Sequence, residues 1–156
     1  MKRFKLIPVG AALALCIAAS PAFAVTVSPA GPISLTGSTT LTKGIALGCT
    51  ATMSGTVDAS GAISITSAKF AGNFLCAGVT ATSLPWKGQV LSTTSLSLSG
   101  VAVNTPLGAC GPSTVDAGIT ENTTLKETII GLSNQVLSGG CTVSGSLTTT
   151  PYLTVH

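Results

Sequence analysis

From residue 47 to residue 57 the chain alternates. Leu47, Cys49, Ala51, Met53, Gly55 and Val57 are apolar or small, and Thr50, Thr52, Ser54 and Thr56 stand between them. A period of two marks a strand with one face buried and one in water. Asp58-Ala59-Ser60-Gly61 supplies turn chemistry, and Ile63 and Ile65 resume the alternation against Ser64 and Thr66, which predicts a β-hairpin. In "TSLSLSGVAV" at 94–103, Leu96 and Leu98 belong to one face and Val101 and Val103 to the other, so Gly100 at the switch predicts a bulge. The stretches 73–82, 113–119, 141–147 and 151–155 predict further short strands, punctuated by Pro85, Pro106, Pro112 and Pro151. "NTTLKETIIGL" at 122–132 is open between two forms: Leu125, Ile129 and Leu132 have helical spacing, whereas the Thr and Ile content suits a strand. The expected fold class is all-β, a single-domain disulfide-stapled β-sandwich or flattened barrel of short antiparallel strands.

The start of the chain reads differently. Lys2, Arg3 and Lys5 precede an apolar stretch from Leu6 to Ala19, and Ala22-Phe23-Ala24 offers small residues at both cleavage-determining positions. This predicts a secretory signal over 1–24 and a single β domain over 25–156. The apolar stretch is shorter than the ~20 residues a membrane helix needs, and no later segment approaches that length. A soluble protein exported to the periplasm or medium, without stable membrane insertion, is the expectation. Leu15 stands where a small residue would have to precede a lipidated cysteine, so Cys16 is expected to leave with the signal.

Without the signal, Lys43, Lys69, Lys87 and Lys126 cancel Asp58, Asp116, Glu121 and Glu127, and the formal +3 of the whole chain disappears. No basic patch remains for nucleic acid to bind. A near-neutral surface rich in Ser and Thr favours self-association, because no charge repulsion keeps copies apart. The Gly, Ser and Thr residues are interleaved with Val, Ile and Leu, so neither a linker nor disorder is expected.

Cys49, Cys76, Cys110 and Cys141 are an even number in a chain expected to be exported, with no Cys-x-x-Cys spacing, and they predict disulfides in preference to metal or redox chemistry. Four cysteines allow three connectivities. Cys49–Cys76 with Cys110–Cys141 is preferred, because each bridge then closes within one half of the chain. That pairing also puts one of two related stretches, "GCTATMSGTV" at 48–57 and "GGCTVSGSL" at 139–147, into each bridge.

Candidate chemistry is sparse. His156 is the only histidine and the last residue, no nucleophile elbow, zinc-protease or calcium-loop pattern occurs, and the carboxylates stand singly beside Gly, Ser, Thr or Asn. No catalytic, cofactor-binding or metal residue is assigned, no cofactor is expected, and an enzyme is not the expected reading. The Asn122-Thr123-Thr124 sequon is too short to carry weight behind a bacterial-looking signal. "SLPWKGQV" at 83–90 holds the sole tryptophan, Trp86. It reads either as a core plug or, flanked by Pro85 and Lys87, as a partly exposed apolar contact.

The order of a cysteine in a Thr-rich strand, "FLC", "LPW", "VNTPLGACGPSTV" and "GGCTVSGSLTTTPYLTV" resembles the secreted activators of alkane oxidation of the PraB type. The resemblance implies an extracellular bacterial accessory that promotes growth on hydrocarbon without being the oxygenase, and it supplies no catalytic residues. Two readings follow. One is a soluble factor meeting hydrocarbon, surfactant or a partner near Trp86. The other is a matrix or filament subunit whose N-terminal "VTVSPAGPISLTG" passes a strand to the next copy, although Val155 stands where chaperone-assembled fimbrial subunits carry an aromatic.

Overall fold

The computed structural model describes residues 24–156. The expected signal and Cys16 therefore lie outside the described residues, apart from Ala24.

The described chain forms β1 (Val27–Ser28), β2 (Gly31–Lys43), β3 (Ile45–Val57), β4 (Ala62–Ala71), a single helical turn α1 (Phe74–Ala77), β5 (Thr80–Thr82), β6 (Trp86–Ser92), β7 (Ser95–Thr105), β8 (Gly108–Asn122), β9 (Glu127–Leu137), β10 (Cys141–Thr150) and β11 (Thr154–Val155). Around the sheet run β6, β4, β3, β2, β10, β9, β8 and β7, every neighbouring pair antiparallel. Pairing of β7 with β6 then closes an eight-stranded barrel. Of the two expected architectures, the barrel is the one formed.

Alternation sets which side chains go inside. Ile33, Leu35 and Leu41 of β2, Leu47, Cys49, Ala51 and Val57 of β3, and Val115, Ala117 and Ile119 of β8 are buried, with Thr39 and Met53 on the same inward face, while residues such as Thr36, Thr40, Thr50, Thr52, Ser54 and Thr56 on the alternate face are exposed. Closure demands strong coiling, and glycines permit it. A side chain at Gly37 would overlap the carbonyl oxygen of Ser146, and one at Gly55 that of Ser64. The neighbouring strand passes too close for any Cβ there.

The bulge expected at Gly100 is present, with φ +74° and a register shift between Leu98 and Val101. Its effect differs from simple alternation, because the extra residue turns both pairs, Leu96/Leu98 and Val101/Val103, toward the same interior. A second irregularity opposite it, at Gly111 and Pro112, lets β8 carry a proline within a strand. The open stretch 122–132 resolves as strand: Asn122 Oδ1 accepts from the amides of Thr124 and Leu125, closing a turn from which β9 starts at Glu127.

Two expectations need correction. Residues 73–82 do not form one strand. Asn73 Oδ1 accepts from Leu75 N and Cys76 N, so this N-cap diverts the chain into α1 before β5 begins. Nor is 25–37 free to be donated: Gly31–Lys43 is paired on both sides, with β3 and β10, and Val27–Ser28 pairs with Thr154–Val155. In this closed arrangement the stretch is used by the chain's own sheet.

The two ends differ. At one end lie the turns β2–β3, β7–β8 and β9–β10 together with α1, and both disulfides are found there. Cys49–Cys76 ties α1 to β3, and Cys110–Cys141 ties β8 to β10 across the end of β9, with Cα separations of 5.7 and 5.8 Å. This is the preferred connectivity. At the other end the ribbon of β1 and β11 has no covalent staple and is held by hydrogen bonds and by the packing of Val27, Leu153 and Val155 on the core. Thr128 Oγ1 donates to Leu153 O at 2.6 Å and accepts from Leu153 N at 2.9 Å, and the Glu121 carboxylate accepts from Val155 N at 2.7 Å. Partial desolvation, with the Glu121 carboxylate alongside, pushes the Tyr152 phenol above its ordinary pKa.

Two outcomes follow from this packing. Loops of 27 and 31 residues closed by the bridges correspond to roughly 3–4 kcal/mol each on a chain-entropy estimate. Replacing Cys110 and Cys141 together by Ser should lower urea stability by about that amount, and an unchanged midpoint would contradict it. Trp86, 1% exposed, should cost about 3–5 kcal/mol as Trp86→Ala in the same assay. A loss below about 1 kcal/mol would show that it does not plug the core.

Candidate functional site

The structure places Trp86 inside, paired with Ile65 across β4 and β6, with its indole Nε1 donating to Thr82 O at 2.8 Å. Of the two readings of this residue, the core plug matches its position. In this conformation it presents almost nothing to a partner outside. The four cysteines are committed to the bridges, and His156 pairs its backbone with Thr26 at 2.8 and 2.9 Å in the terminal ribbon. Among the described residues no three His, Cys, Asp or Glu side chains are grouped as a metal site would need.

What the fold does assemble is apolar. A cavity of about 120 Å³ lies within the barrel, walled by aliphatic side chains from nearly every strand, among them Val101, Val115, Ala117, Ile119, Ile130 and Leu147. Three threonines complete the wall, and each hydroxyl is engaged elsewhere: Thr39 donates to Cys49 O, Thr128 is bound to Leu153, and Thr149 donates to Pro151 O. Among the described residues no buried side-chain nitrogen or oxygen lacks a partner. A water molecule needs two to four polar contacts, and with each threonine hydrogen already donated this lining offers it no free donor. At about 24 cal/mol per Å³, a cavity of this size costs on the order of 3 kcal/mol relative to a filled core. Close-packed interiors usually avoid voids of that size.

The stapled end carries a second apolar feature. Phe74 in α1 is 83% exposed and Val136 near the end of β9 is 70% exposed, with Ile45 at the start of β3 and Leu107 in the β7–β8 turn also exposed. The loops that bear them are fixed to one another. The Lys43 ammonium donates to Ala109 O at 3.1 Å and to Gly139 O, joining three turns, while Cys49–Cys76 holds the turn beneath Phe74. No carboxylate is there: Asp58, Glu121 and Glu127 belong to the opposite end and Asp116 to the middle of β8. Leu91 and Leu125 are exposed at the opposite end, where Asp58, Glu121 and Glu127 also lie; the four at the stapled end have no acidic neighbour, which suits that surface to apolar contact.

Sequence reasoning found neither feature. Phe74 appeared only as part of "FLC", and its exposure depends on the helical turn that Asn73 starts. The cavity depends on strand closure, which leaves no local signature.

A protein-family model described as alkane oxidation protein activator PraA/PraB-like matches residues 1–156. Neither the curated proteins nor the solved structures contain a significant match. Two disulfides point to a non-cytoplasmic location, and no helix among the described residues is long and apolar enough to cross a membrane. With the family model matching from first residue to last, the chain belongs to the PraA/PraB-like family of alkane oxidation activators.

Proposed function

We propose that the protein is exported, acts outside the cytoplasm without catalysing a reaction, and promotes alkane oxidation by seating on an apolar phase through its stapled end. The observation that carries this reading is the group of Ile45, Phe74, Leu107 and Val136, exposed at one end of the barrel where no carboxylate lies. Apolar side chains gain roughly 1.5–3 kcal/mol each on leaving water, whereas a carboxylate among them would have to be desolvated at greater cost. Trp86 is replaced in this role by Phe74.

Three further facts support it. The family is named for activating alkane oxidation, and hydrocarbon is the apolar phase such an activator would meet. The amino-terminal segment has the pattern of a secretory signal, in keeping with the disulfides. The barrel is apolar within and rich in Ser and Thr without, as at Thr50, Thr52, Ser54 and Thr56 of β3, which is the reverse of a membrane-spanning barrel. A body wetted on its sides, with exposed apolar side chains free of carboxylates at one tip and accompanied by them at the other, settles at an oil–water boundary with the first tip toward the oil. No cofactor enters the proposal.

The test is adsorption of the purified protein to hexadecane droplets in buffer, compared with a Phe74→Ser/Leu107→Ser double variant. Both residues are exposed, so urea stability should be retained while the adsorption constant falls about tenfold or more. Equal adsorption by a variant of equal stability would remove the tip from the contact.

A further inference from the structure

The surface reading leaves the interior without a role. We infer that the barrel cavity is a binding site for a single small hydrocarbon molecule, distinct from the tip that meets a bulk phase. Volume, chemistry and position agree on this. A cavity of about 120 Å³ is close to the size of engineered apolar cavities that stay dry and take up benzene or xenon, so the occupant is a short alkane or a compact ring and a long chain is too large. The wall contributes apolar contact from Val101, Val115, Ile119, Ile130 and Leu147, and its only hydroxyls are bonded to backbone carbonyls. A ligand with a polar group would lose its hydrogen bonds to water and meet no free donor in return. Selection is therefore by the absence of polarity.

The fold also separates support from access. Both disulfides lie at the tip end, while the opposite end is closed by the two-residue strands β1 and β11, whose Val27 and Val155 cover the cavity. A short hydrogen-bonded ribbon opens locally at far lower cost than a stapled end. Entry is accordingly assigned to the β1/β11 end.

Ala117 supplies the control. Its methyl group faces the cavity from the middle of β8, so Ala117→Leu places three further carbons in the void. In wild-type protein, n-hexane should raise the melting temperature by about 5 °C at ten times its dissociation constant. It should also shift the methyl NMR signals of Ile119, Ile130 and Val115 and leave those of Ile45 and Leu107 unchanged. Phenol, which matches benzene in size but carries a hydroxyl, should bind at least about tenfold more weakly than benzene. Folded Ala117→Leu protein should lose the hexane response and keep its adsorption to hexadecane droplets, whereas the Phe74→Ser/Leu107→Ser variant should show the reverse. Absence of any hexane-induced shift in the wild-type interior methyls would overturn the inference without touching the surface reading. So would unchanged hexane uptake by folded Ala117→Leu protein.

Discussion

Everything in this molecule depends on closing one antiparallel sheet upon itself. Closure satisfies the backbone of β6 and β7 at what would otherwise be open edges, and it fixes the width of the interior that inward side chains must fill. With eight strands that width is just enough for side chains to meet at the centre. Here the inward positions are mostly Val, Ile, Leu and Ala, and aromatic residues make up only 4% of the chain. The filling falls short, and the cavity is the volume left over. The sheet curves where Gly37 and Gly55 admit a neighbouring strand, and the bulge at Gly100 keeps β7 facing inward along its length.

Polarity along the barrel axis is the second consequence. Strand ends become loops, and the two rings of loops need not resemble each other. One ring carries Phe74, Leu107 and Ile45 on or beside turns tied by Lys43 and two disulfides, and the other carries Asp58, Glu121 and Glu127 beside the exposed Leu91 and Leu125 and the terminal ribbon. A contact surface gains from rigidity, since ordering mobile loops on contact costs free energy, and an access route gains from its absence. The placement of the bridges suits both.

Alternation was legible in the sequence because each strand carries its own period: 47–57 needs no partner to be read, and neither does the turn at Asp58–Gly61. The bridges were legible from cysteine number and spacing. Closure was not, because the pairing of Ser95–Thr105 with Gly108–Asn122 on one side and with Trp86–Ser92 on the other is a choice among strands of similar pattern. The segment 73–82 misled because Val79, Ala81 and Phe74 look strand-like, while one Asn73 side chain capping two amides outweighs that local preference. Trp86 was placed rightly only as one of two readings, since burial of a residue between a Pro and a Lys depends on the neighbouring strand. Phe74 was missed for the same reason in reverse. An exposed aromatic can be recognised only once the turn bearing it has been placed.

Membership of the PraA/PraB-like family joins these features to alkane oxidation, and the claim at the centre is that the protein assists from outside by physical contact with hydrocarbon. The most direct measurement is hexadecane consumption by washed cells that lack this protein, with purified protein comprising residues 25–156 added to the medium. Added wild-type protein should restore the rate while the stably folded tip variant does not. Equal consumption with and without added wild-type protein would contradict the account.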